Sequence, residues 1–241
     1  PVSRVSIITP DESTKDARQL LARSQAPVEV LGESEVIDAL SQERIRSAFK
    51  GRSGWALQQV LRNRFVANFA DGATLVIDAD TILCAKRRWV VANGVQVMTP
   101  TWEYHKPYYE FLASSIGTLE SPDFTFVPHH MLIQPGLFQA VCQRAGVIDE
   151  ESLIDLISRQ SETRHESSFC VIYEFYAQWL WAHHRELVRL TRWSNLSLPR
   201  SVISQTSLQD LAYAAGADGY ASLSFHSWNE RRPERQNERD K

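Results

Sequence analysis

What this chain lacks narrows its chemistry before any motif is read. Its 241 residues hold only three cysteines, Cys84, Cys142 and Cys170, widely spaced, odd in number and without a CxxC. That argues against a disulfide framework and against a Cys/His zinc site, and it fits small buried thiols in a reducing compartment. No stretch approaches the run of about 18 apolar residues that crosses a bilayer, and no signal peptide opens the chain. The sequence therefore reads as soluble and without a transmembrane segment; a cytoplasmic place is expected, extending to peripheral contact at the inner face of the membrane. A formal net charge of -3 gives no basic footprint for nucleic acid. GxGxxG, GxxxxGK(S/T) and GxSxG are all missing, which counts against dinucleotide-binding, P-loop and α/β-hydrolase chemistry. His183-His184-Arg185-Glu186-Leu187 is not the HExxH of a zinc protease, and its histidines suit a helix C-terminus instead.

What is present is an alternation of strands and helices at ordinary composition, 43% hydrophobic and 23% charged. Val5–Thr9 reads as a strand closed by Pro10, followed by a helix from about Ser13 to Ala22 and a strand at Val28–Leu31. Ser34 is placed to cap a helix carrying Val36, Ile37, Leu40, Ile45 and Phe49. A longer helix with Trp55, Leu57, Val60, Leu61, Phe65, Val66 and Phe69 on its apolar side leads through Asp71-Gly72 to a strand at Thr74–Ile77. Trp89–Val91 and Val95–Val97 form a hairpin turning at Asn93-Gly94. Phe124–Val127 reads as a strand, Gly136–Ala145 and Glu150–Ser158 as helices, and Arg159–Glu166 as a polar loop. Ser168–Trp181 is apolar and aromatic, Val188–Arg192 a strand, Ser207–Ala214 a helix and Tyr220–Phe225 the last strand. This order predicts an α/β fold with a mostly parallel sheet covered on both faces, a single domain over 1–228 and a charged, disordered tail over 229–241. The chain starts almost directly in a strand and without Met, so natural sequence is expected before Pro1.

The stretch Thr74-Leu75-Val76-Ile77-Asp78-Ala79-Asp80 carries the sharpest chemistry. Side chains alternate along a strand, so Asp78 and Asp80 share one side where a short buried strand leaves the sheet. Two such carboxylates can hold a hard divalent cation and leave positions for phosphate oxygens, although Asp is common in turns. In open α/β sheets ligands bind beyond the carboxyl ends of the strands, where this pair falls. His226, just after the final strand, is placed to return as a third ligand or to bond a phosphate; a surface histidine is the plain alternative. His129 and His130 follow a strand, so only one can face a given site. Glu174, between apolar neighbours, must be paired or sit in a cavity, which suits either an ion pair or a general base. The aromatics from Trp102 to Phe111, with Tyr104, His105 and Lys106 among them, suit a sugar-stacking wall or a core. Arg52 and Arg62 can each fork onto a diphosphate, or remain solvated surface charges.

Taken in order, Gly54-Trp55-(x2)-Gln58-Gln59, Val76-Ile77-Asp78-Ala79-Asp80, Glu103-Tyr104-His105, His129-His130-Met131 and Tyr173-Glu174-Phe175-Tyr176 resemble a bacterial glycosyltransferase family with the GT-A fold, many members of which carry only a domain-of-unknown-function label. The resemblance runs from about Val5 to Trp228. It implies that Asp78 and Asp80 hold Mn²⁺ or Mg²⁺ on the diphosphate of a UDP- or GDP-sugar, with His226 as a late ligand to metal or diphosphate. It further implies donor contacts from Arg52, Gln58 and Arg62, a base or sugar-orienting carboxylate in Glu174, and acceptor or sugar contacts from Tyr104, His105, His129, His130 and Tyr176. Two departures stand out. Val171-Ile172 occupies the place where the family often has Ser-Glu, and Val5–Thr9 matches the second strand of a GT-A domain better than the first, as though the first were missing.

The expectation is a metal-dependent glycosyltransferase acting on a glycan or related acceptor of the bacterial surface. Its rivals are a metal-dependent phosphohydrolase or nucleotidyltransferase using the same aspartates, and a non-catalytic carbohydrate-binding or assembly domain of the same fold.

Overall fold

Val5–Thr9 (β1) and Val28–Gly32 (β2), both rich in β-branched residues, pair in parallel with Val5 opposite Val28 and Thr9 opposite Gly32. The helix Thr14–Leu21 (α1) crosses between them, as a parallel pair requires. These and the following elements come from a computed structural model that describes residues 2–68, 72–119, 121–163 and 168–226. The chain turns at Gly32, where a Cβ would collide with the Asp11 carboxylate that accepts from Ser34 N–H and Oγ–H. The single helix expected next is instead two: Glu33–Val36 (α2) and Ala39–Ala48 (α3). Ile37 is extended between them, and the Asp38 carboxylate caps α3 by accepting Ser41 N–H at 2.9 Å, so Ser34 lies inside α2 and caps nothing. Ile37, Ile45 and Phe49 are buried while Leu40 faces solvent. Ser53–Asn68 (α4) matches the longer helix; Phe69 and Asp71 lie outside the described residues.

Thr74–Ile77 (β3) ends in a turn and the chain resumes as Thr81–Leu83 (β4). β3 is half-buried rather than buried, with Ile77 exposed. The hairpin turn forms with Asn93 and Gly94 both left-handed, Val91 N–H bonding the Val95 carbonyl, and Gln96–Met98 (β5) leaving it. Pro107 sits in the first turn of Lys106–Ile116 (α5), which Gly117 closes in the left-handed region. Phe124–Val127 is not a strand: only Thr125 bridges, to Thr101, and its neighbours find no ladder. His130–Ile133 (β6), Pro135–Arg144 (α6) and Glu150–Thr163 (α7) follow, so the helix runs through the start of the expected polar loop, whose residues 164–167 lie outside the described residues. Tyr173–His183 (α8), Val188–Leu190 (β7), Asn195–Pro199 (β8), Leu208–Ala217 (α9) and Ser222–His226 (β9) complete the order. The tail over 229–241 lies outside the described residues.

The fold is mixed α/β. Its described strands form separate short ladders: β1–β2, β3–β6, β5–β7 and β4–β9–β8. β1–β2, β5–β7 and β8–β9 are parallel and β4–β9 is antiparallel. The chain gathers into two compact units. A helix-rich unit comprises Pro1–Thr74, His105–Asp123 and Ile133–Trp179; a strand-rich unit comprises Leu75–Tyr104, Phe124–Leu132 and Leu180–Lys241. In the first, α4 packs against α3, α6 and α7 over a core that includes Phe49, Phe111, Phe138 and Phe169. In the second, α9 packs on β9, and Ala215, Leu223 and Phe225 are covered by Ile82, Leu196, Leu198 and Leu211. Among the described residues no helix is long and apolar enough to cross a membrane.

Candidate functional site

The acidic turn of the strand-rich unit is hung from two other segments by its main chain. Asp78 N–H bonds the His129 carbonyl at 2.8 Å, and the Asp80 carbonyl accepts Phe225 N–H at 2.9 Å. Thr81 N–H closes the turn onto the Asp78 carbonyl at 3.0 Å. These tethers deliver two histidines. Strand alternation on β9 puts Ser222, Ser224 and His226 on one face and Leu223 and Phe225 on the apolar core. His226 is therefore the last residue of the final strand, not the residue after it. His129 precedes β6 instead of following a strand, and its φ of 61° places it in the left-handed region, uncommon for a residue with a Cβ. That reversal separates it from His130, which enters the core on β6.

The structure brings Asp78, Asp80, His129 and His226 together. His129 Nδ1 lies 3.3 Å from Asp78 Oδ2, His226 Nδ1 lies 3.5 Å from Asp80 Oδ2, and the imidazole centroids are 4.9 Å apart. Asp78, Asp80 and His129 keep side-chain exposures of 21%, 28% and 19%, whereas His226 keeps 3%. Burial works against charge on His129, but the Asp78 hydrogen bond and the charges of Asp78, Asp80 and Glu103 prevail and raise its pKa. For His226, burial and the neighbouring His129 charge win over Asp80, and its pKa falls. One aspartate thus faces an imidazole that favours its proton and the other an imidazole that favours neutrality.

His130 turns away from this cluster. It is 1% exposed, with its ring 5.2 Å from Trp89 and 4.8 Å from Trp193, and burial together with the Arg87 charge takes its pKa down to about 4. Tyr104 belongs to the same unit and is exposed.

The other residues expected at a site lie in the helix-rich unit. Arg52 Cζ stands 4.1 Å over the Trp55 ring and its Nη1 donates to Ser168 Oγ. Trp55 stacks on Tyr108 at 6.0 Å with planes 4° apart, and His105 meets Tyr108 edge-on at 4.6 Å. Arg52 and His105 therefore terminate one cation–aromatic stack. Gln58 is exposed nearby on α4, and Arg62 lies 5.6 Å over the Tyr173 ring. Of the aromatic stretch, Tyr109 and Phe111 are core while Trp102 is exposed. Tyr176 is fully buried, and its Oη accepts the Gln134 N–H at the start of α6. Glu174 is fully buried on α8; burial first, and then the Glu174 charge, push the Cys170 thiol up to about 11.

Two carboxylates and a neutral-leaning imidazole are the hard oxygen and borderline nitrogen donors a Mn²⁺ or Mg²⁺ ion accepts. Among the described residues, however, no three His, Cys, Asp or Glu side chains are gathered as a metal site. Asp80 Oδ2 and His226 Nδ1 stand 3.5 Å apart, and among the described residues no complete cage surrounds them.

No protein-family model and no curated protein matches this chain. The crystal structure of mouse xyloside xylosyltransferase 1 in its apo form is similar to it, with a TM-score of 0.45 and 12% sequence identity over 95% of this chain and 86% of that one. A likeness at that level assigns neither activity nor ligand.

Proposed function

We propose that this chain is a metal-dependent glycosyltransferase of GT-A-like fold, moving a sugar from a nucleotide-diphosphate donor to a bacterial glycan or related acceptor. The observation that carries the reading is the convergence of Asp78, Asp80, His129 and His226 from three separate chain segments onto one partly exposed face. In this reading Asp80 and His226 would hold Mn²⁺ or Mg²⁺, with the remaining positions left to diphosphate oxygens and water. The ion would supply positive charge against the negative charge that develops on a departing diphosphate. Asp78 favours the protonated form of His129, and in that form the ring would donate a hydrogen bond to a phosphate oxygen.

The test is thermal stabilisation of the chain by UDP- and GDP-sugars with and without Mn²⁺. The expected result is a metal-dependent rise in Tm that Asp80→Ala abolishes. No rise with any nucleotide would remove the reading. A non-catalytic carbohydrate-binding domain of the same fold is the second reading, favoured by the full burial of Glu174 and by the absence of a complete metal cage among the described residues. It predicts glycan binding that is indifferent to nucleotide and to metal.

A further inference from the structure

Arg87 belongs to the strand-rich unit and none of the roles above uses it. Its Nη1 donates to Thr99 Oγ1 at 2.8 Å, while Nε and Nη2 are covered from solvent and make no hydrogen bond. The guanidinium carbon lies 5.0 Å from the Trp89 ring and 4.8 Å from the Trp193 ring, and the two indoles are 5.8 Å apart. Burial alone lowers the pKa of this group, to about 10, and no carboxylate acts against it. Beside the same two indoles sits His130, buried, with neither ring nitrogen in a hydrogen bond; the Pro128 carbonyl is near enough to favour its proton without bonding geometry.

The two unmet donors are a matched pair. Nε–H and Nη2–H project in parallel from one edge of the planar guanidinium, at the spacing of two oxygens of a carboxylate or phosphate. The two indoles offset part of the charge, but they do not accept hydrogen bonds in the guanidinium plane. A covered cation with that edge unmet is costly, and nothing within the described chain meets it. Arg87, Trp89 and Trp193 are each only partly buried, so a swing of one indole uncovers the edge.

We propose that Arg87, flanked by Trp89, Trp193 and His130, is an oxyanion-binding subsite that takes a carboxylate or a phosphate monoester side-on through Nε and Nη2. The ligand is then an acidic sugar or a phosphorylated molecule, with its ring lying against an indole. The proposal does not require the transferase reading.

The test titrates the whole chain with inorganic phosphate and, separately, with glucuronate, both in chelator so that no cation at the aspartates contributes. Calorimetry reads affinity and ¹⁵N NMR follows the Arg87 Nε–H. Saturable binding of at least one probe is expected, with a shifted Nε–H resonance, and with affinity about ten-fold or more weaker in Arg87→Lys, which keeps the charge and loses the fork. Binding of glucuronate alone identifies an acidic sugar, and of phosphate alone a phosphate monoester. An unmoved Nε–H with both probes, or Arg87→Lys binding as the wild type does, overturns the proposal. If Arg87→Lys does not fold, the wild-type resonance decides by itself.

Discussion

The two units bury different things. In the helix-rich unit the Phe169 ring lies 5.1 Å from Phe49, 5.0 Å from Trp55 and 6.1 Å from Phe111, and dispersion and burial hold the helices together. In the strand-rich unit a line of polar groups runs through the ladder: Trp193 Nε1 donates to Ser222 Oγ at 2.8 Å, Ser222 and Ser224 both donate to Asn195 Oδ1, and Ser224 meets Thr81. Ser222 and Ser224 have no exposure, so each of these bonds stands in for water that has been excluded. Bonds among neutral hydroxyl, amide and indole groups do not titrate, so what makes the strand-rich unit answer to pH is the shifted histidines beside them, His129, His130 and His226. The unit carrying the paired aspartates and histidines is the responsive one.

That contrast can be broken most forcefully at Phe169. Phe169→Ala should cost about 3–5 kcal/mol in urea unfolding at any pH, because a buried ring leaves a cavity among three others. The next effect depends on pH. His130 is held near 4 when folded and returns to about 6.5 when unfolded, so between those values the unfolded chain binds more protons. Stability should be whole above 6.5 and fall by about 3 kcal/mol as the pH drops toward 4, and His130→Leu should flatten that limb in denaturant titrations. Amide exchange should show the loss first in the strand-rich unit; equal loss in both units would erase the contrast. His129 runs the other way: its raised pKa adds stability that is complete below 6.5 and lost as the pH climbs through the folded value. Asn195→Ala, which removes the acceptor that Ser222 and Ser224 share, should cost about 1–3 kcal/mol without a pH limb. Smallest of all, Arg44→Ala breaks a half-exposed pair with Asp155 at 2.7 Å and should change stability by less than about 0.5 kcal/mol, vanishing in high salt.

Much of the scaffold was legible because it follows local pattern. β1, β2, α4, α6 and the Asn93-Gly94 turn sit where apolar period, caps and left-handed residues put them. The break at Ile37-Asp38 was readable only by weighing Asp38 as a cap against an unbroken apolar period. Phe124–Val127 has strand composition, but a strand needs a partner, and partners are chosen by the rest of the chain. In the site, Ser222-Leu223-Ser224-Phe225-His226 advertises one polar face by its alternation, and that face carries His226 to Asp80. The left-handed turn at His129 has no such mark. Tyr176 and Tyr109 look like wall aromatics in sequence, and only packing shows that they lie inside the helix-rich unit. Nothing in Lys86-Arg87-Arg88 marks the middle residue as the covered one; Trp89 is visible beside it, but Trp193 reaches it only through the fold.

The main-chain tethers on Asp78 and Asp80 have a practical consequence. Neither tether uses a carboxylate, so an Asp78→Asn, Asp80→Asn chain keeps every backbone bond that positions the turn. Its charge can be emptied while its shape stays, so a ligand that the native chain binds and the double variant does not is held by the carboxylate charge and not by the form of the turn.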